Sequence, residues 1–263
     1  MNTYETLSLE ALEEHVLLVH LDRPEARNAM NTQMGFDLRD LWQEIYIEPG
    51  DLRAIVLTGA GDKAFCAGGD LKERNGMTDA AWQRQHAIFE QAVLALIECP
   101  VPVIAAVNGA AYGGGTELAL CCDFIYAARR ARFALTEITL GIIPGAMGTQ
   151  NLPRALGERR AKEIILTGEP FSAEQAFEWG MVNRLCVDDR LIEETLATAR
   201  RIAANAPLST RRAKRVISLA REVDLHSGYA LELEAYNRLV PTEDRLEGVR
   251  AFNERRRPVF KAR

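Results

Sequence analysis

VPVIAAVNGAAYGGGTE, residues 101–117, runs from an apolar strand through a glycine-rich turn into a helix start. Val103–Val107 contains no polar residue, which fits a strand covered on both faces. Pro100 and Pro102 precede it and stop the amphipathic helix expected over 80–98. Gly113-Gly114-Gly115-Thr116-Glu117 then opens onto the helical sequence LALCC. The first turn of a helix exposes unpaired N–H groups at the positive end of its dipole. Such a terminus suits an anion, or an oxygen that gains negative charge in a transition state. The same residues also fit a plain glycine-rich turn in which Glu117 gains about 0.3–1 kcal/mol from the first helical turn. Neither GxGxxG nor GK[ST] is present, so the dinucleotide and P-loop readings both fail.

Working outward, strands are expected at His15–Leu21, Arg53–Leu57, Ile125–Ala127 and Phe133–Leu135. Asn31 caps a helix whose Met34, Leu38, Leu41 and Ile45 follow a helical period. A further helix spans about 147–156, and Ser172 with Gln175 forms a capping box for a helix ended by Gly180. From about Asp189 the chain turns wholly helical, broken at Pro207 and Pro241. Alternating strands and helices followed by helices alone indicate an α/β or α+β core with a helical appendage. No fixed-period repeat is present.

A chain of 263 residues buries a sizeable core, and 48% hydrophobic with 26% charged residues is ordinary for a globular protein. The net charge of −5 offers no general attraction for nucleic acid or an anionic membrane. The acidic N-terminus does not read as a secretory signal, and no apolar run is long enough for a membrane span. The five cysteines lack metal-ligand or disulfide spacing, the adjacent Cys121 and Cys122 read as core packing, and the protein reads as reduced, metal-free and cytoplasmic.

Two more glycine clusters follow strands. Phe65-Cys66-Ala67-Gly68-Gly69-Asp70 lets another molecule approach the backbone, or makes a tight surface turn. Glu137 precedes Leu140-Gly141-Ile142-Ile143-Pro144-Gly145 and is either solvent-facing or one of a pair of carboxylates. Two carboxylates beside helix-terminal amides can run acid–base chemistry if burial raises one pKa. A glycosidase could use the same pair, but aromatic residues are too few for a sugar groove. His15, His20, His86 and His226 lack the serine or cysteine context of a nucleophilic triad. The residues by themselves therefore lead to an acid–base site beside an oxyanion hole.

In order and spacing, VPVIAAVNG, GGG and LGIIPG resemble the enoyl-CoA hydratase/isomerase (crotonase) family. RPEARNAM at 23–30, AGGDLKE at 67–73 and TEDRLEGVRAFNERRRP near the C-terminus extend the resemblance over nearly the whole chain. It implies a crotonase-like α/β fold: a spiral core of repeated ββα units over 1–195, then a helical trimerisation region over 196–263. Homotrimers, often paired as hexamers, are implied with it. The oxyanion hole falls on the Gly69 and Gly114 amides, and Glu117 and Glu137 match the two hydratase carboxylates. Glu117 acts mainly as base, Glu137 gives a proton to C2, and the Gly145 amide helps hold the water. Ala26, Arg27, Ala67, Asp70, Leu71 and Lys72 match the coenzyme A path. Phe252 and Arg255 match tail residues near the nucleotide, from the same or another subunit. Coenzyme A belongs to the substrate, and no other cofactor is implied.

This sequence departs from the family pattern at Thr136, where proline is common, and at Met147, where glycine is common. The first is expected to loosen the backbone before Glu137, the second to narrow the acyl pocket. LKERNGM and PTEDRLEGVRAF look most like the methylglutaconyl-CoA hydratase branch, whose distal carboxylate would want a cation such as Lys72 or Arg74. Two other readings stand beside hydration. One is Δ3–Δ2 enoyl-CoA isomerisation through one glutamate. The other is RNA binding through Arg211, Arg212, Lys214 and Arg215, which the net charge opposes.

Overall fold

The computed structural model describes residues 3–263. It opens with β1 (Leu7–Leu12), a strand the sequence reading leaves out, and β2 (Val16–Leu21). β1 pairs antiparallel with β2 and covers its edge, and its Leu7-Ser8-Leu9-Glu10-Ala11 alternates apolar and polar residues as a half-covered edge strand does. Then come α1 (Thr32–Ile47), β3 (Ala54–Gly59), β4 (Ala64–Cys66), the short α2 (Leu71–Arg74) and the long α3 (Asp79–Glu98). β5 (Val103–Val107), β6 (Ala110–Tyr112), α4 (Gly114–Cys121), β7 (Phe124–Ala128) and β8 (Arg132–Ala134) follow. α5 (Gly148–Leu156), α6 (Glu158–Thr167), β9 (Phe171–Ser172), α7 (Ala173–Glu178) and β10 (Arg184–Cys186) complete the core. Four helices end the chain: α8 (Leu191–Ala203), α9 (Pro207–Leu219), α10 (Leu225–Leu239) and α11 (Glu243–Asn253).

The strands form two sheets, a six-stranded one in the order β1-β2-β3-β5-β7-β10 and a four-stranded one in the order β4-β6-β8-β9. Each of β3, β5 and β7 lies in the first sheet and hands the chain to its successor β4, β6 or β8 in the second. A helix then returns the chain for the next turn. This is the ββα spiral, and α3 explains why no fixed sequence period betrays it: only the first turn carries that helix of 20 residues.

Strand alternation splits the core in two. Leu17, Val19, Ile55, Leu57, Ala105 and Val107 face Leu38, Leu41 and Trp42 of α1. Their neighbours Val16, Leu18, Ala54, Val56, Ile104 and Ala106 face Leu191, Ala199 and Ala203 of α8. Because both faces are covered, the strands read as continuous apolar runs. The expected division between residues 195 and 196 falls inside α8, a helix packed on this sheet. Asn31 caps α1 through Met34 N–H, and both reciprocal bonds of the Ser172–Gln175 capping box are present.

α10 buries none of its residues, and Leu225, Tyr229, Leu233 and Tyr236 stand on its surface. Among the described residues no helix is long and apolar enough to cross a membrane.

Candidate active site

β4, β6 and β8 are parallel neighbours, so their carboxyl ends reach one edge of the four-stranded sheet. The three segments singled out in the sequence leave from that edge: Ala67–Gly69 after β4, Gly113 and Gly114 after β6, and Thr136–Glu137 after β8. Together they wall a cavity of about 800 Å³, closed by Trp82, His86 and Phe89 of α3 and by the loop from Ile142 to Ala146.

The amides of Gly69 and Gly114 meet on one wall. Gly68 takes φ 92°, and a Cβ there would lie 2.7 Å from the Tyr112 carbonyl and 3.4 Å from the Gly114 nitrogen. A Cβ on Gly114 would lie 4.0 Å from the Gly69 nitrogen, so the two N–H groups sit side by side. Gly114 is the first residue of α4, where N–H groups lack an acceptor within the helix. Thr116 fastens this turn to the sheet, its hydroxyl donating to the Ala134 carbonyl at 2.9 Å. A pair of fixed amides on a largely apolar cavity is the arrangement that stabilises a developing oxyanion.

Glu117 lies one helical turn further on and is 3% exposed. Its Oε1 accepts from the N–H groups of Ala146 and Gly148, both at 2.8 Å. Burial, reinforced by the charge of Glu137, pushes its carboxyl up to about 7 against those N–H groups and that of Gly145. Glu137 is also raised, by burial, and its Oε2 is enclosed with no hydrogen-bond partner among the described residues. One carboxylate is therefore anchored by amides, while the other lines the cavity and keeps one enclosed oxygen without a partner among the described residues. Burial thus raises both carboxyls, and the charge of Glu137 adds to the rise at Glu117.

The profile of the family described as enoyl-CoA hydratase/isomerase matches residues 11–263. The chain belongs to that family. It is 39% identical over 250 residues to the (E)-benzylidenesuccinyl-CoA hydratase of Thauera aromatica, covering 94% of this chain and 96% of the other. It is 37% identical over 258 residues to the crotonyl-CoA hydratase of Syntrophomonas wolfei, covering 98% of both. An enoyl-CoA hydratase from Bacillus anthracis superimposes with a TM-score of 0.96 at 43% identity, over 98% of this chain and 100% of that one. The α/β crotonase fold expected from the sequence is thereby established.

Within this enoyl-CoA hydratase/isomerase fold, the residues matched to the coenzyme A path separate. Ala67 and Leu71 line the cavity; Ala26, Arg27, Asp70 and Lys72 do not. Asp70 is committed to structure, capping α2 through the Lys72 and Glu73 amides and pairing with Arg23 at 3.0 Å. The Arg27 carbonyl accepts from Ala67 N–H, placing the loop of Ala26 and Arg27 beside the cavity entrance. Phe252, 83% exposed, ends α11 and Arg255 follows it; neither lines the cavity of its own chain.

Two sequence expectations are corrected. Thr136 does not loosen its backbone: its carbonyl accepts both the N–H and the hydroxyl of Thr139, tying the 3-10 turn that carries Glu137. Met147 does not line the cavity. It packs against the hydrophobic core at φ 74°, a left-handed conformation that accounts for glycine at this position elsewhere in the family. The basic stretch near residue 211 is also partly spent on the fold, since Lys214 pairs with Asp123 at 2.7 Å and Arg211 donates to the Leu52 carbonyl.

Sequence reasoning missed the α3 wall. His86 was set aside for want of a triad, yet a Cβ on Gly145 would meet its ring at 2.5 Å. Trp82, His86, Phe89 and Val93 all line the cavity at helical spacing. That stripe is visible in the sequence, but nothing local says whether it faces core or ligand.

Proposed function

We propose that this protein hydrates 2-enoyl-CoA thioesters, adding water across the 2,3 double bond. The single observation that carries this reading is the pair of carboxylates, buried Glu117 and half-buried Glu137, on one cavity with the amides of Gly69 and Gly114. The thioester carbonyl accepts from the two amides, which makes C3 electrophilic and stabilises the enolate. Glu117 takes a proton from water as its oxygen bonds to C3, and Glu137 delivers a proton to C2. Protons balance once the two carboxyls re-equilibrate through the site they share. The N–H of Gly145 helps to position the water. No separate cofactor takes part.

Substrate binding belongs to the same proposal: Ala26, Arg27, Ala67, Asp70, Leu71 and Lys72 track coenzyme A, and Phe252 and Arg255 approach its nucleotide. Arg255 and Phe252 do not line their own cavity, and a homotrimer or hexamer, built over the exposed apolar face of α10, would use them across subunits. A cytoplasmic location completes the reading.

Purified protein mixed with crotonyl-CoA should abolish the conjugated-thioester absorbance and yield a product heavier by one water. A product of unchanged mass from a 3-enoyl-CoA, with no hydration of any 2-enoyl-CoA, would instead identify an isomerase.

The pH profile is a second check. Glu117 must be ionised to act as base, and its carboxyl is raised to about 7. The acid limb of kcat/KM should therefore have its midpoint near neutrality, not near the ordinary glutamate value. A limb centred below pH 5 would show that the carboxylate is not shielded as described.

A further inference from the structure

We infer that a second site, separate from the catalytic cavity, binds a small phosphate-like oxyanion between the guanidinium groups of Arg53 and Arg211 and the ammonium group of Lys261.

A pocket of about 270 Å³ opens where three distant segments meet. The turn before β3 brings Asp51 and Arg53, the start of α9 brings Pro207 and Arg211, and the C-terminal tail brings residues 260–262. No residue is shared with the catalytic cavity. Pockets for drug-sized ligands run to about 300–1,000 Å³, so this one suits an ion or a very small acid. Arg212 and Arg215 do not line it, which separates it from the basic stretch read in the sequence.

Three cations line this pocket against one carboxylate, that of Asp51. Among the described residues none of the four enters an ion pair. Asp244 spends its carboxylate on the backbone amides of Lys261 and Ala262. Arg53 is fixed by donating to the Ala203 carbonyl at 3.1 Å and to the Phe260 carbonyl at 2.8 Å. Arg211 donates through Nη2 to the Leu52 carbonyl at 2.9 Å, while its enclosed Nε has no partner. Both guanidinium groups are therefore held in place by neutral carbonyls, and no acid answers their charge.

Enclosing like charges together without a counter-ion is costly. Burial lowers the Arg211 pKa, and the charge of Arg53 adds to that effect. The start of α9 acts in the same direction, since Ala206 offers no capping side chain and the first turn holds no acidic residue. An oxyanion would answer all three sources of positive potential at once. Guanidinium groups suit phosphate in particular, because they give it several charge-assisted hydrogen bonds. The bound ion would also tie the tail to the core, because its three partners come from three segments.

Inorganic phosphate is the probe, and no turnover is needed. Sodium phosphate should raise the melting temperature of the full chain saturably, whereas sodium chloride at equal ionic strength should not. Calorimetric titration then gives the dissociation constant. Arg211→Gln should weaken it at least about tenfold, the cost of losing a hydrogen bond to a charged group. Lys261→Gln, at an exposed position, should weaken it about two- to fivefold. Lys261 makes no side-chain bond in the fold, so this variant should melt like the wild type without phosphate and bind butyryl-CoA equally well. Glycerol 3-phosphate separates two sources of the same chemistry: tighter binding than inorganic phosphate identifies a small phosphate ester, and weaker binding the free ion. An equal response to chloride and phosphate would overturn the inference. Unchanged phosphate affinity in both variants would do the same by placing the ion elsewhere. So would a loss of butyryl-CoA affinity in Lys261→Gln, which would put the pocket on the coenzyme A path.

Discussion

Glu117→Gln should lower kcat for hydration by about 10²–10⁴-fold while leaving thioester binding close to normal and making the folded protein more stable above pH 7. The first effect follows from losing the base. The amides of Gly69 and Gly114 survive the substitution, so the carbonyl is still held. The second effect follows from the cost of ionising a buried carboxyl. The folded pKa is raised from 4.5 to about 7, so between those values the folded chain binds more protons than the unfolded one. Stability then falls as pH rises through that window, and the full penalty is present above it. Glutamine keeps an acceptor for the Ala146 and Gly148 amides without the charge. The expected gain at pH 8 is about 1–3 kcal/mol, and it should vanish near pH 4.5. Glu137→Gln should give a comparable loss of turnover and, by removing the neighbouring charge, lower the pKa of Glu117. Steady-state kinetics and melting curves at two pH values check all of this. Near-normal kcat in both variants would sink the two-glutamate mechanism.

Gly115→Ala should be among the most damaging single-methyl additions to this protein. The added Cβ would overlap the backbone carbonyl of Cys66, an atom of β4 that cannot rotate away. Either α4 lifts from the sheet or β4 shifts, and both movements separate the amides of Gly69 and Gly114. A destabilisation of at least about 3 kcal/mol is expected. In a chain of this size that is a fall in Tm of roughly 6–12 °C. Gly141 provides the contrast. It takes φ 75° with open space around it, so alanine there should cost only about 1–2 kcal/mol of backbone strain. If Gly115→Ala melts no lower than Gly141→Ala, the close packing of α4 on β4 is not what holds the site together.

Much of the fold was legible because apolar runs report burial directly. Val103–Val107 and Ala54–Gly59 are covered on both faces, and their sequences say so. The caps at Asn31 and Ser172 were equally legible, since they depend only on side chains within one turn. β4, β6, β9 and β10 were not, because strands of two or three residues are too short to show a period, and β1 was missed although its residues alternate over Leu7–Ala11. The glycine clusters marked places of close approach but could not say what approaches. At Gly115 it is the protein's own carbonyl, whereas at Gly114, on the cavity wall, it is the Met30 methyl group.

By itself the sequence determined five of the ten strands (β2, β3, β5, β7 and β8), the main helices, the apolar faces and the three loops that carry Gly69, Gly114, Glu117 and Glu137. These follow from local rules: periodicity, capping and the conformational freedom of glycine. Only the tertiary structure decided that the three loops leave one sheet edge, that Glu117 is shielded enough to titrate near 7, and that Arg74 and His86 face the cavity. Each of those depends on how parallel strands from distant parts of the chain register against one another. Distance and desolvation in three dimensions set them, and no local pattern of residues encodes either.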